Sequence, residues 1–400
     1  MPDKFEAIVV GGGPAGLTAA IALAAGGVAT VLIGKRPARA DNRTTALLGG
    51  SVTALEALGV WELCAAQSAP LKTMRIVDDT GRLWRAPEVK FEAHEIDLDA
   101  FGHNIANRDL VAALEARARD LPTLRLIDDD VTAVEPGDET VAVTAKSGEV
   151  LRAPLVVGAD GRQSLCRAAA GIGTDERRYN QVALTVCLTH SRPHRDTSTE
   201  FHTPSGPFTL VPLPGQRSSL VWVLDPMTAD ELAALDDDAL AAEIEHAAHS
   251  ILGKFELEPG RGLFPLATVT ARRFGDRRIA LVGEAAHVIP PIGAQGLNLG
   301  LRDAATIGEL AAQAKRDRHD IGGDDVLAAY ERTRRGDVAS RGVAIDLLNR
   351  TLLTDFLPAQ GLRGLGLYMI DKIGPLRRAV MREGIAPRKA QPRLMRGDVI

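Results

Sequence analysis

The chain has 400 residues, 45% of them hydrophobic, which is enough for two domains with buried cores. Lysine and arginine number 47 against 52 aspartates and glutamates, and the net charge of −5 argues against a nucleic-acid partner, which usually requires a basic face. Cys64, Cys166 and Cys187 form no C-x-x-C pair, so we expect neither a disulfide framework nor a bound metal, and a cytoplasmic location.

The amino-terminal residues have the pattern of a βαβ unit. Phe5–Val10 and Ala29–Ile33 read as strands on either side of a helix of small residues. Between the first strand and the helix, Gly11, Gly13 and Gly16 have the G-x-G-x-x-G spacing. These glycines permit a tight turn, the approach of a pyrophosphate and close packing of the helix, whose N-terminus stabilises the phosphate charge. The sequence therefore predicts a dinucleotide at this turn.

The second strand lacks the acidic residue that usually ends it and holds the ribose hydroxyls. Gly34 stands at this position, followed by Lys35 and Arg36. A basic residue here can bind the 2′-phosphate of NADP, reach a pyrophosphate or simply face solvent. The motif thus predicts a dinucleotide without specifying which one.

Three charged residues in the next part of the chain are candidate ligands. Arg43 is either a contact to cofactor phosphate or ribose, or an ordinary surface arginine. Arg108 lies in the first turn of a helix that Asn107 is predicted to cap; a cation is unfavourable there, which indicates a nearby anion. Asp160 follows an apolar strand, where doubly wound sheets bind ligands, although it could instead cap a turn.

From residue 180 the pattern changes to short strands separated by proline and glycine turns, which predicts a second, antiparallel domain. Residues 230–250 read as one helix, and after Pro265 the chain returns to alternating strands and helices. The first domain is therefore built from separate pieces. The predicted division assigns 1–75, 105–175 and 271–325 to the dinucleotide domain, 76–104 and 176–270 to the β-sheet domain, and 326–400 to a C-terminal helical region.

The stretch VGEAAHVIPPIGAQGLNLGLRDA, residues 282–304, leads from an apolar strand into a helix through a loop with few charges. Its prolines remove backbone donors, its glycines allow close approach, and the helix N-terminus carries a partial positive charge. This pattern favours a cradle for a flat, electron-rich ring that can become anionic. The alternative is a tight connection that only packs.

The C-terminal segment 347–381 has apolar residues at helical spacing followed by basic ones. This pattern suits an amphipathic helix on a membrane surface. It equally suits a terminal helix that packs on the protein or on a partner of a biosynthetic complex. The sequence also leaves open whether the chain forms a homo-oligomer.

Three motifs together resemble the FAD-dependent aromatic hydroxylases of ubiquinone biosynthesis, within the flavoprotein monooxygenases of the p-hydroxybenzoate hydroxylase type. They are GGGPAG at 11–16, GADGRQS at 158–164 and GEAAHVIPPIGAQGLNLGLRD at 283–303. The resemblance covers nearly the whole chain. It implies an α/β fold in which a Rossmann-like FAD-binding domain is interrupted by an antiparallel β-sheet substrate domain, with C-terminal helices.

The resemblance also implies which residues bind FAD. Asp160 is similar to a family residue linked to both FAD and the nicotinamide nucleotide. Glu284 replaces the family's usual aspartate, which holds the ribityl chain, and Gly34 replaces the usual glutamate. The implied cofactor-binding residues are Gly11, Gly13, Pro14, Ala15, Gly16, Lys35, Arg43, Arg108, Val131, Asp160, Gly283, Glu284, Pro291, Gly293, Gln295, Gly296, Leu297 and Asn298.

The reaction implied by the resemblance is hydroxylation of an electron-rich, polyprenylated phenol. NADPH or NADH reduces the flavin, and dioxygen then gives a flavin hydroperoxide that delivers one oxygen atom. His202 or His287 could deprotonate the phenol, but the sequence assigns no catalytic residue. A polyprenylated substrate also favours a peripheral position at the inner face of the membrane.

Several other functions are compatible with these motifs. One is another flavoenzyme on the same frame, such as a halogenase or a reductase of prenyl double bonds. A second is a non-catalytic nucleotide-binding scaffold of a biosynthetic complex. A third is a simple NADP dehydrogenase, which suits Lys35 and Arg36 but leaves the stretch 283–303 unexplained.

Overall fold

A computed structural model describes residues 4–35, 43–81, 87–353, 373–385 and 391–400. The strands are β1 (Ala7–Val10), β2 (Thr30–Ile33), β3 (Thr44–Leu48), β4 (Ser68–Pro70), β5 (Thr73–Asp78), β6 (Val89–Glu92), β7 (Gly102–Ala106), β8 (Leu124–Ile127), β9 (Val131–Pro136), β10 (Val141–Ala145), β11 (Val150–Ala153), β12 (Leu155–Gly158), β13 (Thr174–His190), β14 (Thr197–Thr203), β15 (Gly206–Leu213), β16 (Arg217–Leu224), β17 (Phe255–Leu257), β18 (Gly262–Ala271), β19 (Gly275–Asp276), β20 (Ile279–Leu281) and β21 (His287–Val288). The helices are α1 (Pro14–Ala25), α2 (Gly49–Ala57), α3 (Asn107–Arg119), α4 (Leu165–Ala169), α5 (Pro226–Ala233), α6 (Asp237–Ala247), α7 (Gln295–Arg316), α8 (Asp324–Leu353) and α9 (Gly374–Ile385).

The first sheet has the order β19-β20-β12-β1-β2-β8 in the described residues. Its strands are parallel except for β19, which is antiparallel to β20. Every residue of β1 and β2 is buried, because α1 packs on one face of the sheet and the three-stranded sheet β11-β10-β9 packs on the other, and this explains why their residues are mainly apolar. Parallel strands end at the same edge, so the turns after β1, β2, β8, β12 and β20 lie side by side, where such sheets bind ligands.

The second sheet is mainly antiparallel, with the order β21-β18-β13-β16-β15-β14-β5-β6 and with β17 beside β13. Alternation along β13 separates its two faces. Leu184 and Leu188 pack into a core shared with α5 and α6. Thr185 and Cys187 point to the opposite face, where they line a cavity. The second sheet therefore has one face closed by helices and one face available to a ligand.

The predicted α/β fold class is confirmed, but two local predictions are wrong. Residues 230–250 are not one helix, because the Asp236 side chain accepts a hydrogen bond from the Ala239 N–H and starts α6 separately from α5. Asn107 does not cap α3, because its Oδ1 accepts a 2.7 Å hydrogen bond from Thr45 Oγ1.

The predicted C-terminal stripe, 347–381, extends beyond the described parts of the chain, since residues 354–372 lie outside them. The described portions are the end of α8 and most of α9. None of the helices in the described ranges is both long enough and apolar enough to cross a membrane.

Candidate functional site

The first and third sequence motifs meet where α1 and α7 cross. A Cβ atom added to Gly283 would lie 3.1 Å from the Ala15 Cβ, and one added to Gly300 would lie 3.2 Å from the Gly283 Cα. The absence of side chains at both positions lets the two helices and the loop after β20 pack closely. The N-termini of α1 and α7 are thereby brought to one place.

A cavity of about 560 Å³, which we call the cofactor cavity, opens at these two helix N-termini. It brings together ten of the residues predicted from the sequence, namely Gly13, Pro14, Ala15, Gly16, Arg43, Arg108, Gly283, Glu284, Gly296 and Leu297. Helix N-termini carry partial positive charge, and two arginines add full positive charges. The cavity is therefore suited to an anionic, phosphate-bearing ligand.

The shape of the cofactor cavity fits FAD. A Cβ added to Gly13 or Gly296 would meet no atom within 4 Å, so the backbone borders open space at both positions. His287 also lines the cavity, and its buried Nδ1 has no hydrogen-bond partner among the described residues. Exposed glycine backbone allows a flat ring system to approach closely, and an unpaired buried ring nitrogen calls for a polar ligand atom.

A second space, which we call the strand-edge cavity, lies beside the turns after β1 and β2 and has a volume of about 420 Å³. It is lined by four other predicted residues, Gly11, Lys35, Val131 and Asp160. Its position at the carboxyl edge of the parallel sheet is the one that such sheets use for the adenosine half of a dinucleotide.

Lys35 and Asp160 both have protein partners at this edge. The Lys35 Nζ lies 2.7 Å from the Asp130 Oδ2, and this hydrogen bond and charge raise the pKa of Lys35. Asp160 accepts hydrogen bonds from Ser164 Oγ at 2.6 Å and from the Cys166 N–H at 3.0 Å. Its carboxylate thus stabilises the start of α4 while it also borders the cavity.

A third space of about 340 Å³, which we call the sheet-face cavity, lies on the open face of the second sheet. Pro291 lines it, together with residues of β13, β16 and β18. It shares a wall with the cofactor cavity, formed by Arg43, Thr44, Glu284, Val288 and Ile289. The two cavities are therefore direct neighbours.

Glu284 is exposed at the shared wall although the residues on either side of it are buried. It makes no hydrogen bond to the described parts of the chain, and so its carboxylate is available to a ligand that enters either cavity. From the sequence, the extra methylene of Glu284, compared with aspartate, could have moved the carboxylate out of the site. In the structure, Glu284 lines both cavities.

The remaining predicted residues, Gly293, Gln295 and Asn298, line none of these three cavities. The Asn298 Nδ2 donates to the Ala46 carbonyl at 2.8 Å, and its Oδ1 accepts from the Leu48 N–H at 2.9 Å. Gln295 accepts a 2.8 Å hydrogen bond from Arg341. These two amides connect the first turn of α7 to β3 and α8.

The two candidate histidines lie in different places. His202 is buried in β14, where its Nε2 lies 2.9 Å from Glu200, and it lines none of the three cavities. His287 lines the cofactor cavity but not the sheet-face cavity. Neither histidine is positioned by this geometry to contact a substrate ring in the sheet-face cavity.

A buried group of charges behind the shared wall was not predicted from the sequence. Asp303 is completely buried and accepts hydrogen bonds from the Gly283 N–H at 3.0 Å, from His287 Nε2 at 2.6 Å and from Arg334 Nε at 2.6 Å. Burial alone would raise the pKa of Asp303, but His287 and Arg334 more than offset this and lower it to about 2. We call these residues, with Asp337, the Asp303 cluster.

Asp337 extends the Asp303 cluster along α8. It accepts hydrogen bonds from Arg334 Nη1 at 2.7 Å and from Arg341 Nε at 3.0 Å, and it pairs with Arg302 at 3.4 Å. In the sequence, the alternating charges of 331–341 are typical of a solvated helix face. The only sequence signal for their burial is the aspartate that ends the third motif.

Comparison with known proteins places this arrangement in context. Residues 4–343 match the family described as FAD binding domain. The ubiquinone hydroxylase UbiL of Rhodospirillum rubrum is 36% identical over 99% of this chain and 94% of its own length. The 3-demethoxyubiquinol 3-hydroxylase of Escherichia coli is 31% identical over 94% of this chain and 97% of its own length. The structure of p-nitrophenol 4-monooxygenase PnpA from Pseudomonas putida superposes with a TM-score of 0.77 at 20% sequence identity. The match covers 97% of this chain and 100% of PnpA, which shows that the two proteins share a fold.

We expect Arg334→Met to destabilise the protein by about 3–5 kcal/mol, because it leaves Asp303 buried without its guanidinium partner. Urea unfolding followed by circular dichroism measures this change. Arg332→Met is the matched control, since this arginine is exposed on the same helix and its side chain makes no ion pair or hydrogen bond with the described residues. It should cost less than about 1 kcal/mol. Equal losses in the two variants would contradict a special role for the buried pair.

Proposed function

This chain belongs to the FAD binding domain family, and we propose that it is an FAD-dependent monooxygenase that hydroxylates a polyprenylated phenol in ubiquinone biosynthesis, using NADPH or NADH and dioxygen. The resemblance that the three motifs indicated is confirmed by the family match and by the similarity to ubiquinone hydroxylases. The observation that carries the proposal is the wall shared by the cofactor and sheet-face cavities, because a flavin in one cavity and a substrate ring in the other would lie side by side.

We assign the binding of FAD to the first sheet and its helices. The N-terminus of α1, at Gly13 and Ala15, would hold the pyrophosphate, with Arg108 supplying positive charge. Glu284 would bind the ribityl chain, and the strand-edge cavity would hold the adenosine. When bound, FAD supplies the transfer of electrons from the nicotinamide nucleotide to dioxygen and of one oxygen atom to the ring.

The chain's own residues position the rings and stabilise charge. The first turn of α7, at Gly296 and Leu297, borders the cofactor cavity, and its partial positive charge would stabilise negative charge on a flavin held there. Val288 and Ile289 are the apolar residues of the shared wall and would limit access of water on their side of it, whereas Arg43, Thr44 and Glu284 make the rest of the wall polar. A site of this kind needs no side-chain triad, because the cofactor carries the difficult chemistry.

We assign the substrate ring to the open face of the second sheet. The sheet-face cavity is lined by small and apolar residues of β13, β16 and β18, including Ala183, Val221 and Leu266. These strand residues suit an aromatic ring, while Arg43, Arg162 and Glu284 at the same cavity offer polar contacts to its substituents. On this proposal the pieces predicted as 1–75, 105–175 and 271–325 form the FAD-binding domain, and 76–104 and 176–270 form the substrate domain.

The alternative functions are not favoured. The two relatives named above are hydroxylases, and neither is described as a halogenase, a prenyl reductase or a scaffold. A simple NADP dehydrogenase would leave the sheet-face cavity and its shared wall without a role.

We expect the purified protein to show the two-band absorption of an oxidised flavin and to release FAD on denaturation. With NADPH and dioxygen, 2-geranylphenol should accelerate NADPH oxidation and yield a product one oxygen atom heavier, identified by mass spectrometry. NADPH oxidation that leaves every prenylated phenol unmodified would contradict the hydroxylase function. A colourless protein that cannot be reconstituted with FAD would contradict the cofactor assignment.

Gly296→Ala should weaken FAD binding by about tenfold or more, because the added methyl projects into the cofactor cavity and meets no protein atom. The apoprotein should be unchanged or slightly more stable, since alanine is the better helix former by about 1 kcal/mol. Fluorescence titration with FAD and thermal unfolding measure the two effects.

Gly336→Ala is the matched control for this substitution. Gly336 also lies in a helix with no atom within 4 Å of an added Cβ, but it lines none of the three cavities. It should leave FAD affinity unchanged. A Gly296→Ala variant with normal FAD affinity would place the flavin elsewhere.

Peripheral contact with a membrane is a further part of the proposal, supported by the exposed Arg378 and Arg382 of α9. Replacing both by glutamate should reduce flotation with anionic liposomes. The control variant carries Arg152→Glu and Arg178→Glu, which change the charge by the same amount at exposed strand positions. It should float with the liposomes as well as the unchanged protein does. Equal flotation of both variants and the unchanged protein would rule out this surface.

A further inference from the structure

Ser219 occupies a special position in the sheet-face cavity. It lies on β16 directly opposite Cys187 of β13, on the open face of the second sheet. Its side chain lines the cavity, although the residue is only 4% exposed. A buried hydroxyl in a largely apolar cavity must find hydrogen-bond partners, so its contacts determine what it can offer to a ligand.

Both lone pairs of the Ser219 hydroxyl oxygen are already used. Thr44 Oγ1 donates to it at 2.8 Å, and Asn104 Nδ2 donates to it at 3.1 Å. Asn104 is itself buried and held in place, because the same Nδ2 also donates to the Pro212 carbonyl at 2.9 Å. A serine hydroxyl has two acceptor sites and one donor hydrogen. Only the hydrogen of Ser219 is left to bond.

No acceptor for this hydrogen exists in the hydrogen-bond network of the described residues. With two donors on the oxygen, the hydrogen takes the remaining tetrahedral direction, and the cavity that Ser219 lines is the space in which an acceptor of a ligand can meet it. A desolvated donor without an acceptor costs free energy, which an oxygen atom of the ligand would recover. The ligand feature that matches Ser219 is thus a hydrogen-bond acceptor, not a donor.

A hydrogen bond connects the Ser219 hydroxyl to the wall between the two cavities. Thr44, which donates to Ser219, is part of the wall shared with the cofactor cavity. Ser219 is therefore one hydrogen bond away from the place where the two rings would face each other. A ring oxygen bonded at Ser219 would fix how the ring is rotated relative to that wall.

We propose that Ser219 is a specificity-determining residue whose hydroxyl donates a hydrogen bond to the ring oxygen of the phenol substrate. This inference rests on the proposed hydroxylase function and adds the group that recognises the phenol. Asn104 is a positioning residue, because it orients the Ser219 hydroxyl and lines none of the three cavities. Thr44 orients the same hydroxyl and also lines the sheet-face cavity. The bond also selects against rings that lack the oxygen, since these would leave the buried donor unpaired.

The test measures binding of 2-geranylphenol and of geranylbenzene, which lacks the ring oxygen, to the FAD-loaded protein. Perturbation of the flavin absorption reports both affinities. The unchanged protein should bind the phenol about tenfold more tightly than the arene. In Ser219→Ala this preference should disappear through loss of phenol affinity, and kcat/KM for the phenol should fall by a similar factor.

Thr185→Val is the matched control. Thr185 lines the same cavity, but its hydroxyl takes part in no hydrogen bond within the described residues, so no protein group orients it. The valine variant should keep the preference for the phenol. A preference lost in Thr185→Val but kept in Ser219→Ala would overturn the assignment.

Three outcomes separate this inference from the function on which it rests. If Ser219→Ala retains the full preference, the inference is contradicted while the hydroxylase function stands. If the unchanged protein binds neither compound and oxidises NADPH no faster with either, the proposed function and the inference both fail. If Ser219→Ala does not retain FAD, Ser219→Cys provides the same comparison, because a thiol is similar in size and a weak donor, and it should lose the preference.

Discussion

The structure depends most on one buried negative charge, the carboxylate of Asp303. A charge removed from water must be compensated by donors of good geometry, and Asp303 has three, from the Gly283 backbone, His287 and Arg334. These donors come from the loop after β20 and from α8, whereas Asp303 belongs to α7. The compensation therefore requires three separate segments to come together. The loop that carries the shared wall is held at both 283 and 287 by this requirement.

The position of this loop determines how the two sheets cooperate. The first sheet contributes helix N-termini and glycine backbone to the cofactor cavity, and the second contributes an open face of alternating small and polar side chains. Neither sheet builds a reaction site by itself. The wall between the cavities, with Glu284 exposed in it, exists because close packing at Gly283 and Gly300 brings α7 against α1. Local packing of small residues thus decides where the two cavities adjoin.

The backbone around position 34 explains why glycine stands there in place of the family's usual glutamate. A Cβ added there would lie 2.5 Å from the Gly12 backbone nitrogen, so this backbone has no room for the usual glutamate side chain. The adjacent Lys35 instead pairs with Asp130 at the rim of the strand-edge cavity. The charge at this edge is therefore arranged differently from the pattern of the family, while the glycine turn after β1 is preserved.

The sequence by itself determined the βαβ opening, the α/β class and most of the cofactor cavity. These features depend on contiguous signals, such as a strand, a glycine turn and a helix N-terminus, which hold wherever the chain folds. Tertiary structure alone decided the roles of Asn107, Asp303 and Ser219. Asn107 bonds to Thr45 instead of capping its own helix, and Ser219 is oriented by Thr44, which lies 175 residues away. The burial and the partners of such polar groups come from distant segments, and no local pattern encodes them.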